Sequence, residues 1–262
     1  MTNMSEIMSK KISVLDISID NFTAKEAMQE ALAYMESDLV SVIELVTIES
    51  LMELGTEAEL KEEIENFDLI LAGNKTILEA AEITDHKCLR ETEDKTFLKM
   101  FLRYLARKHK RVYLLVESEE EGQKMFGHFE EYYRGTQIVG MAKVSAKNRA
   151  DDMLINAING EEVDCVLSAL SSPLQEELIS KNRNVMNARV WLGLGKDGIP
   201  VVAKGIGGGR IGQFFMKQIF KKVSSLCTVL LMMAVLTLTG VSSVWAADEV
   251  DDTVKQTLVT TA

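Results

Sequence analysis

Apolar and polar residues follow two rhythms along this chain, a period of two and a period near 3.6, and the rhythms take turns. Ile12–Ile19 (ISVLDISI) alternates and is β-branched, which predicts a strand. Thr23 is a good N-cap, and Glu26 three residues on completes a capping box, so a helix is expected over about Ala24–Met35. Leu39–Val46 (LVSVIELV) predicts a second strand, and Glu49–Asn66, rich in Leu and Glu, a helix. Phe67–Leu71 reads as a short strand, and Lys75–Ala81 starts another helix. In Lys95–Lys108 the residues Phe97, Leu98, Phe101, Leu102 and Leu105 fall at helical spacing. Arg111–Val116 (RVYLLV) reads as a buried strand. Ser118 with Glu121 caps a helix to about Tyr133, and Gln137–Val139 begins a strand. Asp151–Asn159 is helical, Val163–Leu170 (VDCVLSAL) a buried strand, Gln175–Arg183 a helix and Ala188–Leu192 a strand. Strand and helix alternate throughout, which predicts an α/β fold with a mainly parallel sheet covered on both faces. Ligands of such sheets bind at the carboxyl ends of the strands.

From residue 193 the pattern changes. Half of the sixteen glycines lie between Gly193 and Gly212, and Gly205–Gly209 (GIGGG) reads as a flexible linker. Phe214–Lys222 has an apolar side (Phe214, Phe215, Ile219, Phe220) and a basic one (Lys217, Lys221, Lys222), as an interfacial helix would. Val223–Ala247 contains no Asp, Glu, Lys, Arg or His, and about 20 helical residues cross a hydrocarbon core. Arg210, Lys217, Lys221 and Lys222 precede it; Asp248, Glu249, Asp251 and Asp252 follow. The positive-inside tendency then puts the N-terminal domain in the cytoplasm. Two rivals stand beside the transmembrane helix. One is a buried core helix. The other is a secretory signal peptide from Met216, with a basic start, an apolar stretch and a cleavage-like end at Val244-Trp245-Ala246. The expected organisation is an α/β domain over 1–204, a linker and basic segment over 205–222, a transmembrane or signal-peptide-like segment over 223–247, and an acidic extracytoplasmic tail over 248–262. A single-pass protein of the cell membrane is expected.

The net charge is −11; four acids and one lysine after residue 222 carry −3 of it, leaving −8 for residues 1–222. An acidic domain lacks the basic footprint of a nucleic-acid binder. The local exception is Arg103, Arg107, Lys108, Lys110 and Arg111. Such a cluster complements a helix C-terminus or contacts anionic lipid or phosphate. Three scattered cysteines, Cys88, Cys165 and Cys227, form no CxxC and fit a reducing compartment. No metal site is expected, because His86, His109 and His128 share no ligand spacing. Gly193–Gly198 matches GxGxxG, but Ile199-Pro200-Val201-Val202 follows where a dinucleotide site needs a helix, so a glycine turn is expected.

One set of residues says more. Ile19-Asp20-Asn21-Phe22-Thr23 with Glu26-Ala27 resembles the opening of the WecG/TagA/CpsF glycosyltransferase family, a strand and then (I/V)DN.T..EA. Ser172-Pro173-Leu174-Gln175-Glu176-Glu177-Leu178-Ile179, then Asn182-Arg183, resembles its GLG.PKQE.WI..NR. Between them, Phe67–Leu71, Arg111–Leu115 and Gln137–Gly140 resemble its ADLVL, RVFLL and QIVG, in order, over roughly residues 11–215. The resemblance implies a Rossmann-like cytosolic domain that needs no cofactor. It implies transfer of an N-acetylhexosamine, N-acetylmannosamine-like, from a UDP-sugar to a lipid-linked acceptor at the membrane. Partners would be the membrane, that acceptor or other glycan-assembly enzymes, and a second copy of the chain.

The departures fall on the chemistry. Where the family has its catalytic PDG aspartate, the sequence reads Ala72-Gly73-Asn74. Its Thr-x-Asn-x-Glu reads Leu45-Val46-Thr47-Ile48-Glu49, its glycine pair after FLL reads Val116-Glu117, its GLG reads Ala169-Leu170-Ser171, and its motif lysine is Leu174. A base near the acceptor hydroxyl contributes about 10²–10⁴-fold, and glycine supplies none. Glu117 adds bulk and negative charge where a diphosphate would sit. Two expectations follow. One is a fold kept without its chemistry, acting as a binding or scaffolding subunit of cell-envelope glycan assembly. The other is an active glycosyltransferase with a rearranged site, in which Glu49 and Asp94 are candidate catalytic groups and Thr47, Gln175, Glu176 and Arg183 contact substrate, Arg183 at the diphosphate.

Overall fold

The first apolar alternation folds back on itself. In the computed structural model, which describes residues 11–55, 57–147, 150–196 and 198, β1 (Lys11–Val14) pairs antiparallel with β2 (Ile17–Asp20). Leu15 and Asp16 turn between them with φ of 51° and 67°, both left-handed, as a two-residue hairpin turn requires. The single strand expected over Ile12–Ile19 is therefore two. The alternation changes phase at Val14-Leu15, and the pairs Ile12–Ile19 and Val14–Ile17 bring the apolar side chains onto one face.

Helix α1 (Ala24–Tyr34) starts at Thr23, with the expected capping box formed. After β3 (Ser41–Val46), the helix expected over Glu49–Asn66 is instead α2 (Ile48–Leu54) and α3 (Ala58–Ile64). Gly55, a poor helix former, stands at the break. Then come β4 (Leu69–Ala72), α4 (Lys75–Ala80), α5 (His86–Glu93), α6 (Thr96–Arg107), β5 (Arg111–Val116), α7 (Glu119–Tyr132), β6 (Gln137–Lys143), α8 (Asp151–Asn159), β7 (Cys165–Ala169), α9 (Leu174–Asn182), a 3₁₀ turn (Arg183–Val185) and β8 (Val190–Gly193). Helix α5 escapes a periodicity reading because Cys88 is its only buried residue.

Strands β3 to β8 form one sheet in the order β4-β3-β8-β7-β5-β6, parallel at every pairing. One face packs on α1, α6 and α7 through residues such as Phe101, Leu105, Met125 and Phe129. The other packs on the hairpin, α2, α3, α8 and α9, with Trp191 fully buried on that side. This is the expected α/β architecture, Rossmann-like in form. Because the strands are parallel, all their carboxyl ends share one edge. The chain builds outward from β3 to β4 and, across the sheet, from β5 to β6, and then fills the gap with β7 and β8. That reversal of order is where such sheets open a crevice.

Among the described residues no helix is long and apolar enough to cross a membrane. The expected linker, the Val223–Ala247 segment and the acidic tail lie outside the described residues.

Candidate active-site edge

At the carboxyl edge, the loop after β2 meets the ends of β3 and β4. The cleft between them is lined by Asn21, Phe22, Gly73, Thr92, Lys95 and Thr96, among others. Asp20 anchors the hairpin there, its carboxylate accepting the Ile70 N–H of edge strand β4 at 3.0 Å. Gly73 is pressed against β3: its N–H donates to the Val46 carbonyl at 2.6 Å. A Cβ on Gly73 would stand 2.8 Å from that oxygen and 3.2 Å from Thr47 Cγ2. The position therefore has no room for a side chain without a backbone shift. The Gly73 carbonyl in turn accepts a hydrogen bond from Lys95 Nζ, which reaches back from the start of α6. Between the described residues the cleft has a volume of about 50 Å³, whereas small-molecule sites run to about 300–1,000 Å³.

Further along the edge, Glu117 follows β5. Its Oε1 accepts from both the backbone N–H and the hydroxyl of Ser171, each at 2.5 Å. Its Oε2 lies 3.8 Å from Lys196 Nζ. Ser171 follows β7 and Lys196 follows β8, so one carboxylate ties together three loops of the crevice. It occupies the Ser171 backbone donor.

Beneath the edge lies a buried polar row. Glu44 on β3, Gly193 on β8 and Ser168 on β7 are in register and share a face. A Cβ on Gly193 would come within 2.0 Å of Glu44 Oε2, so the absent side chain makes the space this carboxylate fills. Glu44 Oε1 accepts from the Gln175 amide, and Ser172 Oγ donates to Glu176 Oε1 at 2.6 Å. Glu44, Gln175 and Glu176 are each 1% exposed. Among the described residues, Glu44 Oε2, Ser168 Oγ, Gln175 Oε1 and Glu176 Oε2 have no hydrogen-bond partner. Burial, then the neighbouring Glu176, holds the Glu44 carboxyl well above its ordinary range, against the lowering effect of the Gln175 hydrogen bond. Burial pushes Glu176 up to about 7, opposed by the Ser172 hydroxyl.

The residues singled out from the sequence scatter over this frame. Gln175 and Glu176 come together at the start of α9, beside Glu44. Thr47 lies against Gly73, and its side chain caps α2 by accepting from the Ser50 N–H at 3.2 Å. Glu49 is exposed in the first turn of α2. Asp94 is exposed at the end of α5. Arg183 sits at the opposite, amino end of the sheet. There it donates to the carbonyls of Val40 and Asn66 at 3.3 and 3.1 Å and pairs with Asp68 at 2.6 Å. Sequence reasoning missed Glu44, Ser168 and Lys95. A glutamate inside LVSVIELV was the visible signal for the first.

Among the described residues no three or more His, Cys, Asp or Glu side chains are grouped to hold a metal. No curated protein matches the chain closely enough to stand as a relative. One protein-family model does match, that of the glycosyl transferase WecG/TagA/CpsF family, over residues 12–204. The match spans the hairpin, the whole parallel sheet and the edge where Gly73, Glu117 and Gln175 stand, so the chain belongs to the WecG/TagA/CpsF glycosyltransferase family.

Proposed function

We propose that this chain is a catalytically silent member of its family, a binding or scaffolding subunit of cell-envelope glycan assembly at the cytoplasmic face of the membrane. The observation that carries the reading is Gly73. It stands where family members resemble one another in a catalytic aspartate, it has no space for a side chain, and its carbonyl is engaged by Lys95. A general base must come within about 3 Å of the proton it removes; neither Glu49 nor Asp94 lines the cleft, and the two carboxylates that do, Asp20 and Glu91, accept the backbone N–H groups of Ile70 and Ala24. Glu117 supports the same reading from the diphosphate side. Its negative charge is satisfied within the protein by Ser171, and it repels a second anion.

The second reading is an active enzyme that moves an N-acetylhexosamine from a UDP-sugar to a lipid-linked acceptor. One observation favours it: a carboxyl near pKa 7, that of Glu176, suits a base at neutral pH. Against it, Glu176 is 1% exposed and does not line the cleft.

Turnover separates the two. The full chain, incubated with UDP-N-acetylhexosamines and a polyprenyl-diphosphate-linked acceptor, is expected to release no UDP above the protein-free rate. Turnover that Glu49→Gln or Glu176→Gln abolishes would overturn the silent reading.

A further inference from the structure

Helix α6 carries no acidic residue: its sequence is TFLKMFLRYLAR. Its inner side, Phe97, Leu98, Phe101, Leu102 and Leu105, is buried in the core. Its outer side presents Lys99, Arg103 and Arg107, all exposed, at intervals of four residues, about 6 Å of rise each. Lys108 extends the ridge, and the half-buried Met100 and Tyr104 run alongside it. Among the described residues none of these four cations has an ion-pair partner, although Glu30 on α1 and Glu130 and Glu131 on α7 stand exposed on the helices that flank the same core layer. The remainder of the basic cluster behaves differently: Lys110 pairs with Asp164 at 2.8 Å and Arg111 with Glu161 at 3.9 Å. Complementing the helix dipole accounts for Arg107 and Lys108, but that effect fades within the last turn. Lys99 and Arg103 lie further back, at a spacing that sets like charges against each other.

We propose that this ridge is a docking surface for an anionic phospholipid bilayer, along which the α/β domain lies. Three observations select that occupant. The ridge is the exposed side of a single helix, which suits a plane. The domain is otherwise acidic, with −8 over residues 1–222, so a partner that wraps it would meet repulsion, whereas a plane touches the basic side alone. The sequence also holds the uncharged Val223–Ala247 stretch with Lys217, Lys221 and Lys222 ahead of it, and stable membrane attachment commonly takes two signals. The ridge begins beside Lys95 and Thr96, which line the cleft, so docking would bring the cleft mouth near the headgroups. The inference stands apart from the loss of catalysis, because an active enzyme would dock in the same way.

The test compares the full chain with its Lys99→Gln/Arg103→Gln/Arg107→Gln variant on vesicles of phosphatidylcholine alone and with a third phosphatidylglycerol. Each cation near an anionic surface is worth about fivefold in partitioning. The variant is therefore expected to bind anionic vesicles about 100-fold more weakly at low salt, to bind neutral vesicles as the wild type does, and to keep its unfolding midpoint. Where the C-terminal stretch holds both proteins on both lipids, phenylglyoxal modification of Arg103 and Arg107, read by mass spectrometry, replaces partitioning. It is expected to slow severalfold on anionic vesicles only. Equal binding by wild type and variant, equal modification on both lipids, or ridge-dependent binding to duplex DNA without binding to vesicles would overturn the proposal.

Discussion

Replacing Trp191 by alanine is expected to lower the unfolding free energy by about 3–5 kcal/mol. Among the described residues Trp191 is the largest of the fully buried side chains. It lies in the central strand β8, in register with Val42 on β3 and Val166 on β7. An aromatic side chain of this size removes about 150–250 Å² from water. At about 25 cal/mol per Å² that is about 4–6 kcal/mol as an upper bound, and a cavity left between two packed strands and the helices over them cannot collapse freely. Among the described residues the indole Nε1 has no hydrogen-bond partner, so the loss is one of packing and not of a hydrogen bond. At about 2–4 °C per kcal/mol for a domain of this size, the midpoint should fall by about 6–20 °C. Leu39, 79% exposed, is the control: Leu39→Ala should stay within about 0.5 kcal/mol of wild type. Urea unfolding of both variants checks the pair, and a Trp191→Ala cost below about 1 kcal/mol would contradict the packing described.

The second large effect is a dependence of stability on pH centred on Glu176. In the folded chain its carboxyl is raised, by burial first, from its ordinary 4.5 to about 7. Between those values the folded state holds the proton and the unfolded state does not. The sign follows: the contribution is present in full below about pH 4.5 and is lost as pH rises through about 7. Over that window it amounts to about 3 kcal/mol. Glu44 is raised in the same direction, by burial and then by Glu176, and adds to the loss. Glu176→Gln removes the ionisation while keeping an acceptor for Ser172. The variant's advantage over wild type should therefore grow by about 3 kcal/mol between pH 4.5 and pH 8, measured by denaturant unfolding at several pH values. A difference that stays flat with pH would mean that Glu176 is not held protonated in the folded chain.

Most of the sheet was legible because its strands are apolar on both faces and several are followed by helices with side-chain caps, as at Thr47, Asn74 and Ser118. Arg111–Val116 and Asp151–Asn159 have the bounds their patterns predict. What escaped has physical causes. The β1–β2 turn lies in Leu15-Asp16, led by a leucine that is not a usual turn residue, and only the change of phase marks it. Helix α5 buries one residue and so has no periodic stripe. The site was legible as a set of departures and not as an arrangement. That Gly73 has no room for a side chain depends on how closely the chain after β4 approaches β3. The Glu117 contact joins residues 54 positions apart. The Lys95 contact spans 22. Pairings of this kind are made by topology, and residue types do not announce them. Arg183 is the converse: the motif places it next to Gln175 and Glu176 in sequence, while a nine-residue helix carries it to the far end of the sheet.

We propose that the site edge holds no nucleotide sugar, because Glu117 adds a carboxylate beside Ser171 and Gly73 closes against β3. Calorimetric titration of the full chain with UDP-N-acetylmannosamine and UDP-N-acetylglucosamine tests it most directly. The expected result is no saturable heat corresponding to a Kd below about 1 mM, which is less than about 4 kcal/mol of binding. Saturable binding in the micromolar range to either sugar nucleotide would contradict the account.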